Sequence, residues 1–324
     1  MNILLGRAIL LGCLLASPSA FAQSYPSRTV TIVVTSAAGA LTDVLTRAVS
    51  QQLSQMWGQS IVVENRGGAG HNFAATAVKA AAADGYTLLS SETGFATSQP
   101  HLYAKGKLPY DPETDFIPVA GYAGIPIGLL VNPSVPAKSV TELIALAKLT
   151  PGAMTYGTAG LGTALHTAAL LLESLTGIKM TAVHYRGAAP ALNDLIAGHI
   201  NVIMMGPSVA LPAVADGKLN MLAFGSEQRV VQFPNVPTVA ETVPGYEAAV
   251  SFGLFAPKGA PPEILIKINA DVQKVINDPE FRKRFLESLV VQPLPGSLEA
   301  FAGYLHKDSV KWAKVINAAN LKID

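Results

Sequence analysis

The pattern of apolar and polar positions predicts strands and helices that alternate along most of the chain. Residues 29–35 (TVTIVVT) and 60–64 (SIVVE) are rich in the β-branched residues that favour strands. Between them, residues 42–57 have apolar positions at helical spacing, and Gly58 follows as a stop signal. Further strands are predicted at 86–90, 128–131, 154–157, 181–185, 201–205 and 221–224, and further helices at 72–83, 140–149, 163–176, 188–197, 262–276 and 279–289. This alternation is typical of an α/β fold with mostly parallel sheets flanked by helices.

Two segments are predicted to connect two lobes. They are residues 118–126 (PVAGYAGIP) and 248–257 (AAVSFGLFAP), which combine glycine with apolar residues where the α/β alternation restarts. We therefore expect residues 23–124 together with 249–324 to form one lobe, and residues 125–248 to form the other. Two connections between two lobes form a hinge, and the cleft beneath a hinge can close on a ligand.

The N-terminal 22 residues are typical of a secretory signal peptide. Arg7 supplies positive charge, residues 8–15 are almost wholly apolar, and Ala20-Phe21-Ala22 is a small-x-small cleavage site. An alternative is a lipoprotein box at Leu10-Leu11-Gly12-Cys13, which would leave Cys13 lipidated. We expect cleavage after the signal peptide, which predicts a soluble protein outside the cytoplasm.

The composition excludes several classes of function. Removal of the signal peptide removes the single cysteine, so the mature chain has no disulfide and no thiolate metal site. Without Arg7, the 23 basic residues become 22 and equal the 22 acidic ones, so nucleic-acid binding is disfavoured. The six histidines include no pair at the i, i+4 spacing of a helical metal site. We expect neither a metal nor a cofactor.

A short internal echo is the most informative motif. Residues 38–42 (AGALT) and 159–163 (AGLGT) both read AGxxT, and each follows a predicted strand and opens a predicted helix. The threonines are suited to cap the helices, while the small residues let a ligand approach backbone N–H groups. Helix N-termini favour anions. Turns on opposing lobes could therefore bind both groups of a dicarboxylate, or one carboxylate together with the rest of the ligand molecule. The alternative is that each turn is an ordinary strand-to-helix connection.

Other segments are weaker candidates for chemistry. Gly67-Gly68-Ala69-Gly70 lacks the third glycine of a dinucleotide loop, because Phe73 occupies that position. The segment at 206–210 (GPSVA) resembles a nucleophile elbow around Ser208, but His306 is the only histidine that follows it. His166 is either a ligand contact or a satisfied polar residue near a helix start. Asp43 is expected to complement the dipole of the first helix.

Ordered sequence blocks extend over nearly the whole mature chain. They include YPSRTVTIVV, TDVLTR, VVENRGGAGHN, ADGYTLL, LPYDPETDFIPV, HYRGAAPALNDLIAGHINV and PNVPTVAETVPGYEA. With these blocks, the chain resembles the Bug-type receptors, the periplasmic component of tripartite tricarboxylate transporters. The resemblance implies a two-lobed periplasmic binding protein fold (type II-like), a carboxylate ligand and delivery to the membrane permease subunits of such a transporter. We also expect a monomer.

The resemblance places cleft segments at 36–42, 91–95, 158–166, 205–208 and 251–252. The predicted ligand-binding residues are Ser36, Ala38, Gly39, Ala40, Thr42, Thr93, Thr158, Gly160, Leu161, Gly162, Thr163, His166, Met205 and Phe252. Several positions depart from the family pattern: Ser36 replaces an aromatic residue, Ala40 a glycine and Leu161 an asparagine. Leu165 and Met205 stand where polar residues are common. Since buried polar groups without partners cost about 1–3 kcal/mol each, these apolar replacements favour an aromatic or aliphatic carboxylic acid.

Three functions therefore remain in view. The first is a solute receptor that binds a carboxylate between its lobes and performs no chemistry. The second is an exported α/β hydrolase that uses Ser208. The third is a receptor that serves a sensor kinase rather than a permease.

Overall fold

A computed structural model describes residues 25–68, 71–294 and 296–322. The predicted signal peptide at 1–22, including Cys13, lies outside these ranges, as do Ala69 and Gly70 of the glycine-rich turn. The strands are β1 (Val30–Val34), β2 (Ile61–Asn65), β3 (Thr87–Glu92), β4 (Phe116–Pro126), β5 (Gly128–Val131), β6 (Thr155–Thr158), β7 (Thr181–His184), β8 (Val202–Met205), β9 (Asn220–Phe224) and β10 (Ala249–Pro257). The helices are α1 (Leu41–Trp57), α2 (Asn72–Lys79), α3 (Gly94–Thr97), α4 (Gln99–Leu102), α5 (Pro112–Asp115), α6 (Val140–Leu149), α7 (Ala164–Thr176), α8 (Ala188–Ala197), α9 (Leu211–Ala215), α10 (Pro262–Asn277), α11 (Pro279–Phe281) and α12 (Leu298–Ala318).

Most predicted elements lie within about two residues of their predicted bounds. The helix predicted at 72–83 is shorter, because α2 ends at Lys79. The helix predicted at 279–289 is irregular. After α11 the chain forms a π-helical turn at Arg282–Leu286 and a 3₁₀ turn at Glu287–Leu289.

The first sheet has the strand order β2-β1-β3-β10-β4. Strands β2, β1 and β3 are parallel, and β10 runs antiparallel to both of its neighbours. Strand β4 therefore has the same direction as the first three, so four of the five strands run one way.

The second sheet repeats this arrangement with the order β7-β6-β8-β5-β9. Here β5 is the inverted strand, antiparallel to β8 and β9. In each sheet, the inverted strand is the first one that the chain forms after it arrives from the other sheet. It begins at the edge where the neighbouring strands end. The predicted α/β class with two mostly parallel sheets is confirmed, with one antiparallel strand in each sheet.

The chain passes between the sheets at a crossing where three segments are joined by backbone hydrogen bonds. Gly225 N–H donates to Ile127 O at 2.6 Å, and Ala248 N–H donates to Gly225 O at 2.8 Å. Ile127 N–H in turn donates to Ala248 O at 3.2 Å. The segments predicted as connections are mostly β4 and β10, which pair along the first sheet, and the chain changes sheets just beyond their ends.

The long helix α12 packs against both halves of the molecule. Phe301 and Leu305 join a cluster beside the first sheet. Trp312, Val315 and Ile316 join the large cluster that contains the core of the second sheet. The predicted assignment of chain segments to two lobes therefore remains a proposal.

Within the described ranges, no helix combines the length and the apolarity needed to cross a membrane.

Candidate functional site

A cavity of about 330 Å³ lies where the loops of the two sheets face each other. The first-sheet side contributes His71, Glu92, Thr93, Gly94, Thr97, Ser98, Gln99, Leu102 and Tyr103. The second-sheet side contributes Leu161, Gly162, Thr163, Ala164 and Thr167. Strand β10 adds Ala249, Val250 and Ser251, and α12 adds Asp308 and Trp312. The cavity thus follows the carboxyl ends of β3 and β6, the edge at which open α/β sheets bind ligands.

The start of α7 forms one wall of this cavity. Its N-cap position is Thr163, but no side chain caps the first amide groups of the helix. The hydroxyl of Thr163 instead donates to Gly160 O at 2.8 Å. Because the first N–H groups of a helix have no partner within the helix, this wall offers amide donors and the positive end of the helix dipole. Such a terminus favours an anion.

His166 holds the loop before α7 from behind. Its Nδ1 accepts a hydrogen bond from Gly162 N–H at 3.0 Å. An accepting Nδ1 requires a neutral ring with its proton on Nε2. Burial, together with the His184 ring at 5.0 Å, lowers the pKa of His166 to about 4. His166 is therefore a satisfied, neutral, buried residue rather than one that lines the cavity.

Thr158 and His184 stabilise the same loop. The Thr158 hydroxyl lies 2.8 Å from His184 Nδ1 and accepts a hydrogen bond from Gly160 N–H at 3.1 Å. Thr158 is fully buried. These contacts fix the loop backbone that positions Leu161 and Gly162 beside the cavity.

The loop before α1 has a related geometry. Gly39 N–H donates to Asp43 Oδ2 at 2.9 Å, just as Gly162 N–H donates to His166 four residues later. Burial raises the pKa of Asp43, but hydrogen bonds from Gly39, Asn65 and Arg47 outweigh burial and hold the pKa below its usual range. Asp43 therefore complements the α1 dipole, as the sequence predicts.

This geometry corrects the interpretation of the AGxxT echo. The helices begin at Leu41 and Ala164, so Thr42 lies inside the first turn of α1, whereas Thr163 immediately precedes α7. The equivalent glycines are consequently Gly39 and Gly162, not Gly39 and Gly160. The prediction that the threonines cap their helices is wrong, because neither helix has a side-chain cap.

No lysine or arginine is found among the described residues that line the cavity. Burial lowers the pKa of His71 to about 4, so its ring is neutral near pH 7. Burial raises the pKa of Glu92. Asp308 is paired with Lys311 at 2.8 Å. An anion in this cavity would therefore depend on amide and hydroxyl donors rather than on a basic side chain.

A protein-family model described as the tripartite tricarboxylate transporter family receptor, TctC, matches residues 45–321. The chain belongs to the TctC family. This assignment confirms the resemblance to Bug-type receptors and makes the protein a TctC-type solute receptor.

Relatives of known sequence and structure agree with the TctC assignment. BugT of Bordetella pertussis is 31% identical over 93% of this chain and 92% of its own length. Among solved structures, Rhodopseudomonas palustris Rpa4515 with adipate has a TM-score of 0.78 and 34% identity, covering 92% of this chain and 99% of that one. MatC from the same organism, with bound malate, has a TM-score of 0.73 and 31% identity, covering 90% and 100% of the two chains.

The cavity of this TctC receptor contains only part of the predicted ligand set. It brings together Thr93, Leu161, Gly162 and Thr163. The predicted residues that do not line it are Ser36, Ala38, Gly39, Ala40 and Thr42 before and within α1, Thr158, Gly160 and His166 around the α7 loop, and Met205 and Phe252, which are buried in the cores. Contact between these residues and a ligand remains a prediction.

Sequence reasoning missed several cavity residues. Glu92 lies within the predicted segment 91–95, next to Thr93, so the sequence could have identified it as a cavity residue. Asp308 and Trp312 reach the cavity through the packing of α12, which no local pattern encodes.

Ser208, the nucleophile of the alternative hydrolase, lies in a 3₁₀ turn at Pro207–Val209 and does not line the cavity. His306 lies on α12, and within the described part of the chain no hydrogen bond joins it to Ser208. The described residues also hold no group of three or more potential metal-binding side chains.

Proposed function

We propose that this receptor binds a small organic carboxylate in the cavity between its sheets. It would pass the carboxylate, outside the cytoplasm, to the membrane subunits of a tripartite tricarboxylate transporter, without performing chemistry on it. The observation that carries the proposal is the uncapped start of α7, which lines the cavity. The amide donors and the dipole of α7 favour a carboxylate group. They would have to bind it without a basic side chain, because the described lining contains no lysine or arginine.

The bound molecules of two structural neighbours support this class of ligand. Rpa4515 was solved with adipate and MatC with malate, and both molecules are carboxylates. The neighbours share about a third of their residues with this chain over nearly its full length. These neighbours therefore support carboxylates as the class of ligand for this receptor.

The ligand body would contact apolar side chains. Leu161, Leu102 and Trp312 line the cavity. Leu165 and Met205 pack instead in the core of the second sheet, so they do not contribute to this part of the proposal. An aliphatic or aromatic chain matches the three cavity residues.

Closure of the two halves would complete the site. The loop at residues 36–40 lies outside the cavity lining, and the Ser36 hydroxyl is buried without a hydrogen-bond partner in the described structure. A ligand that bridges both helix starts would bind the closed state more tightly and shift the population towards it. This step would bring the predicted first loop into contact with the ligand.

The test is a charge change at Leu161, which is 44% exposed and lines the cavity. Leu161→Glu should weaken the binding of carboxylates by about ten-fold or more, because it places a like charge at the start of α7. Leu161→Lys should preserve or strengthen binding. Isothermal titration with adipate, malate, hexanoate and benzoate measures both effects.

Leu149→Glu is the matched control, since Leu149 is 78% exposed at the end of α6 and does not line the cavity. Binding of none of the four acids to the wild-type protein would contradict the proposal. Equal weakening by Leu161→Glu and Leu149→Glu would contradict the placement of the site. Turnover of a bound acid would contradict a receptor without chemistry.

A further inference from the structure

Glu92 is an acidic residue inside a cavity proposed to bind an anion. It is the last residue of β3 and lines the cavity beside Thr93. Within the described part of the chain, its carboxylate has neither a hydrogen bond nor an ion pair. A carboxyl group in such surroundings is costly unless it is protonated or meets a donor.

Thr97 is a second unsatisfied group on the same wall. Its side chain is fully buried and lines the cavity, and Oγ1 has no hydrogen-bond partner among the described residues. Buried hydroxyls normally find a partner, so this orphaned atom itself indicates that a ligand group or water belongs here.

The two sides of the cavity therefore have opposite preferences. The start of α7 favours a negative group. Glu92 instead offers a hydrogen-bond acceptor and, when it is ionised, repels a negative group. The other acid in the lining, Asp308, is already paired with Lys311. In a cavity of about 330 Å³, the second carboxylate of a diacid would lie near Glu92 with no lysine or arginine in the described lining to separate them. Like charges placed in this way repel each other unless one is protonated.

We propose that Glu92, assisted by Thr97, selects carboxylates whose far end carries a hydrogen-bond donor, an amino or hydroxyl group, over those that end in a second carboxylate. This inference rests on the proposed function, because it takes the first carboxylate to lie at α7. It narrows the ligand class to amino- or hydroxy-carboxylates.

The charge state of Glu92 depends on the group that faces it. Burial raises the pKa of Glu92, so its surroundings in the cavity favour the protonated form more than water does. An ammonium group would hold Glu92 ionised and form a charge-assisted hydrogen bond. A hydroxyl group could donate to the carboxylate or accept from the carboxylic acid.

Four acids of matched chain length test the proposal: 6-aminohexanoate, 6-hydroxyhexanoate, hexanoate and adipate. In the wild-type protein, titration calorimetry should show one of the two donor-bearing acids binding about ten-fold more tightly than adipate. Glu92→Gln, which removes the charge but keeps the shape, should weaken 6-aminohexanoate and strengthen adipate. The ratio of the two dissociation constants should then change by at least about ten-fold.

Thr97→Val gives a second measurement that does not depend on Glu92. Valine has a similar shape, and Oγ1 has no described partner to lose, so the melting temperature should not fall. The affinity for the donor-bearing acids should fall while that for hexanoate is unchanged. Ser50→Ala is the matched control, because Ser50 has another buried hydroxyl without a described partner, on α1 and outside the cavity lining.

The outcomes separate the two proposals. If none of the four acids binds to the wild-type protein, the proposed function fails. If they bind, but adipate binds best or the order is the same in Glu92→Gln, the role of Glu92 fails while the carboxylate receptor stands. If Glu92→Gln does not fold, the wild-type order and the Thr97→Val measurement decide.

Discussion

Gly39 and Gly162 are two single residues that determine how each helix start can bind an anion. Both have positive φ angles, 83° and 73°, and each donates its N–H to a side chain four residues later. The acceptor is an ionised carboxylate at α1, Asp43, and a neutral imidazole at α7, His166. A carboxylate offsets the positive end of a helix dipole, whereas a neutral ring does not. Of the two helix starts, α7 therefore has the positive dipole end that is less offset by a side chain, which favours the placement of the anion that we propose.

The neutral state of His166 makes stability depend on pH. Its pKa is about 4 in the folded protein and 6.5 without the fold, so the unfolded chain binds more protons between these values. Stability should then fall as the pH decreases from about 6.5 towards 4. At pH 5, the loss from this one group is on the order of 2 kcal/mol relative to pH 7.

Urea unfolding at pH 7 and pH 5 checks this prediction with His166→Asn, which keeps an acceptor near Gly162 but does not titrate. The variant should lose less stability than the wild-type protein over this pH range. His71 has a similarly lowered pKa, but it is present in both proteins and cancels in the difference. Equal losses in the two proteins would show that His166 is not the responsible group.

At the scale of elements, α12 connects the cavity to two cores. Its first half packs beside the first sheet, its second half packs into the core of the second sheet, and Asp308 and Trp312 line the cavity between them. A change in the relative position of the sheets must therefore bend α12 or shift its packing. The helix is a third link in addition to the two chain crossings.

Replacement of Trp312 should show how strongly α12 is anchored. Trp312 is 6% exposed, and truncation to alanine removes a large aromatic side chain from the core. We expect Trp312→Ala to lower the free energy of unfolding by about 3 kcal/mol or more. Val310→Ala on the same helix, at a residue 43% exposed, should change it by less than about 0.5 kcal/mol. Similar losses for both variants in urea unfolding would contradict this anchoring role.

The same elements show what the sequence could predict. The bounds of α6 and α8 follow from apolar spacing, which is local, and the sequence predicts both correctly. The destination of α12 depends on packing between distant segments, so no local pattern shows that Trp312 meets the second core. The AGxxT echo marks the loops before α1 and α7 but aligns the wrong glycines, because helix starts depend on backbone angles that a five-residue match does not encode.

At the scale of the whole molecule, the closure that we propose would change the geometry at the crossing between the sheets. Three segments meet there through hydrogen bonds among Ile127, Gly225 and Ala248. A Cβ atom at Gly225 would lie 2.7 Å from Ala248 O and 3.1 Å from Ile127 O. The crossing therefore requires glycine at this position because the backbones approach too closely for a side chain, so Gly225→Ala must force the segments apart.

We expect adipate at saturation to reduce the radius of gyration of the wild-type protein in small-angle X-ray scattering, as the cleft closes around it. Gly225→Ala should show a smaller reduction and weaker binding, because the displaced crossing no longer supports the same closed arrangement. Gly303→Ala is the matched control, because Gly303 lies in α12 and, among the described residues, no atom beyond its chain neighbours and the adjacent helix backbone lies within 4 Å of its Cβ position. It should leave closure unchanged and add about 0.5–1 kcal/mol of stability through helix propensity. If Gly225→Ala closes and binds like the wild-type protein, the hinge does not lie at this crossing.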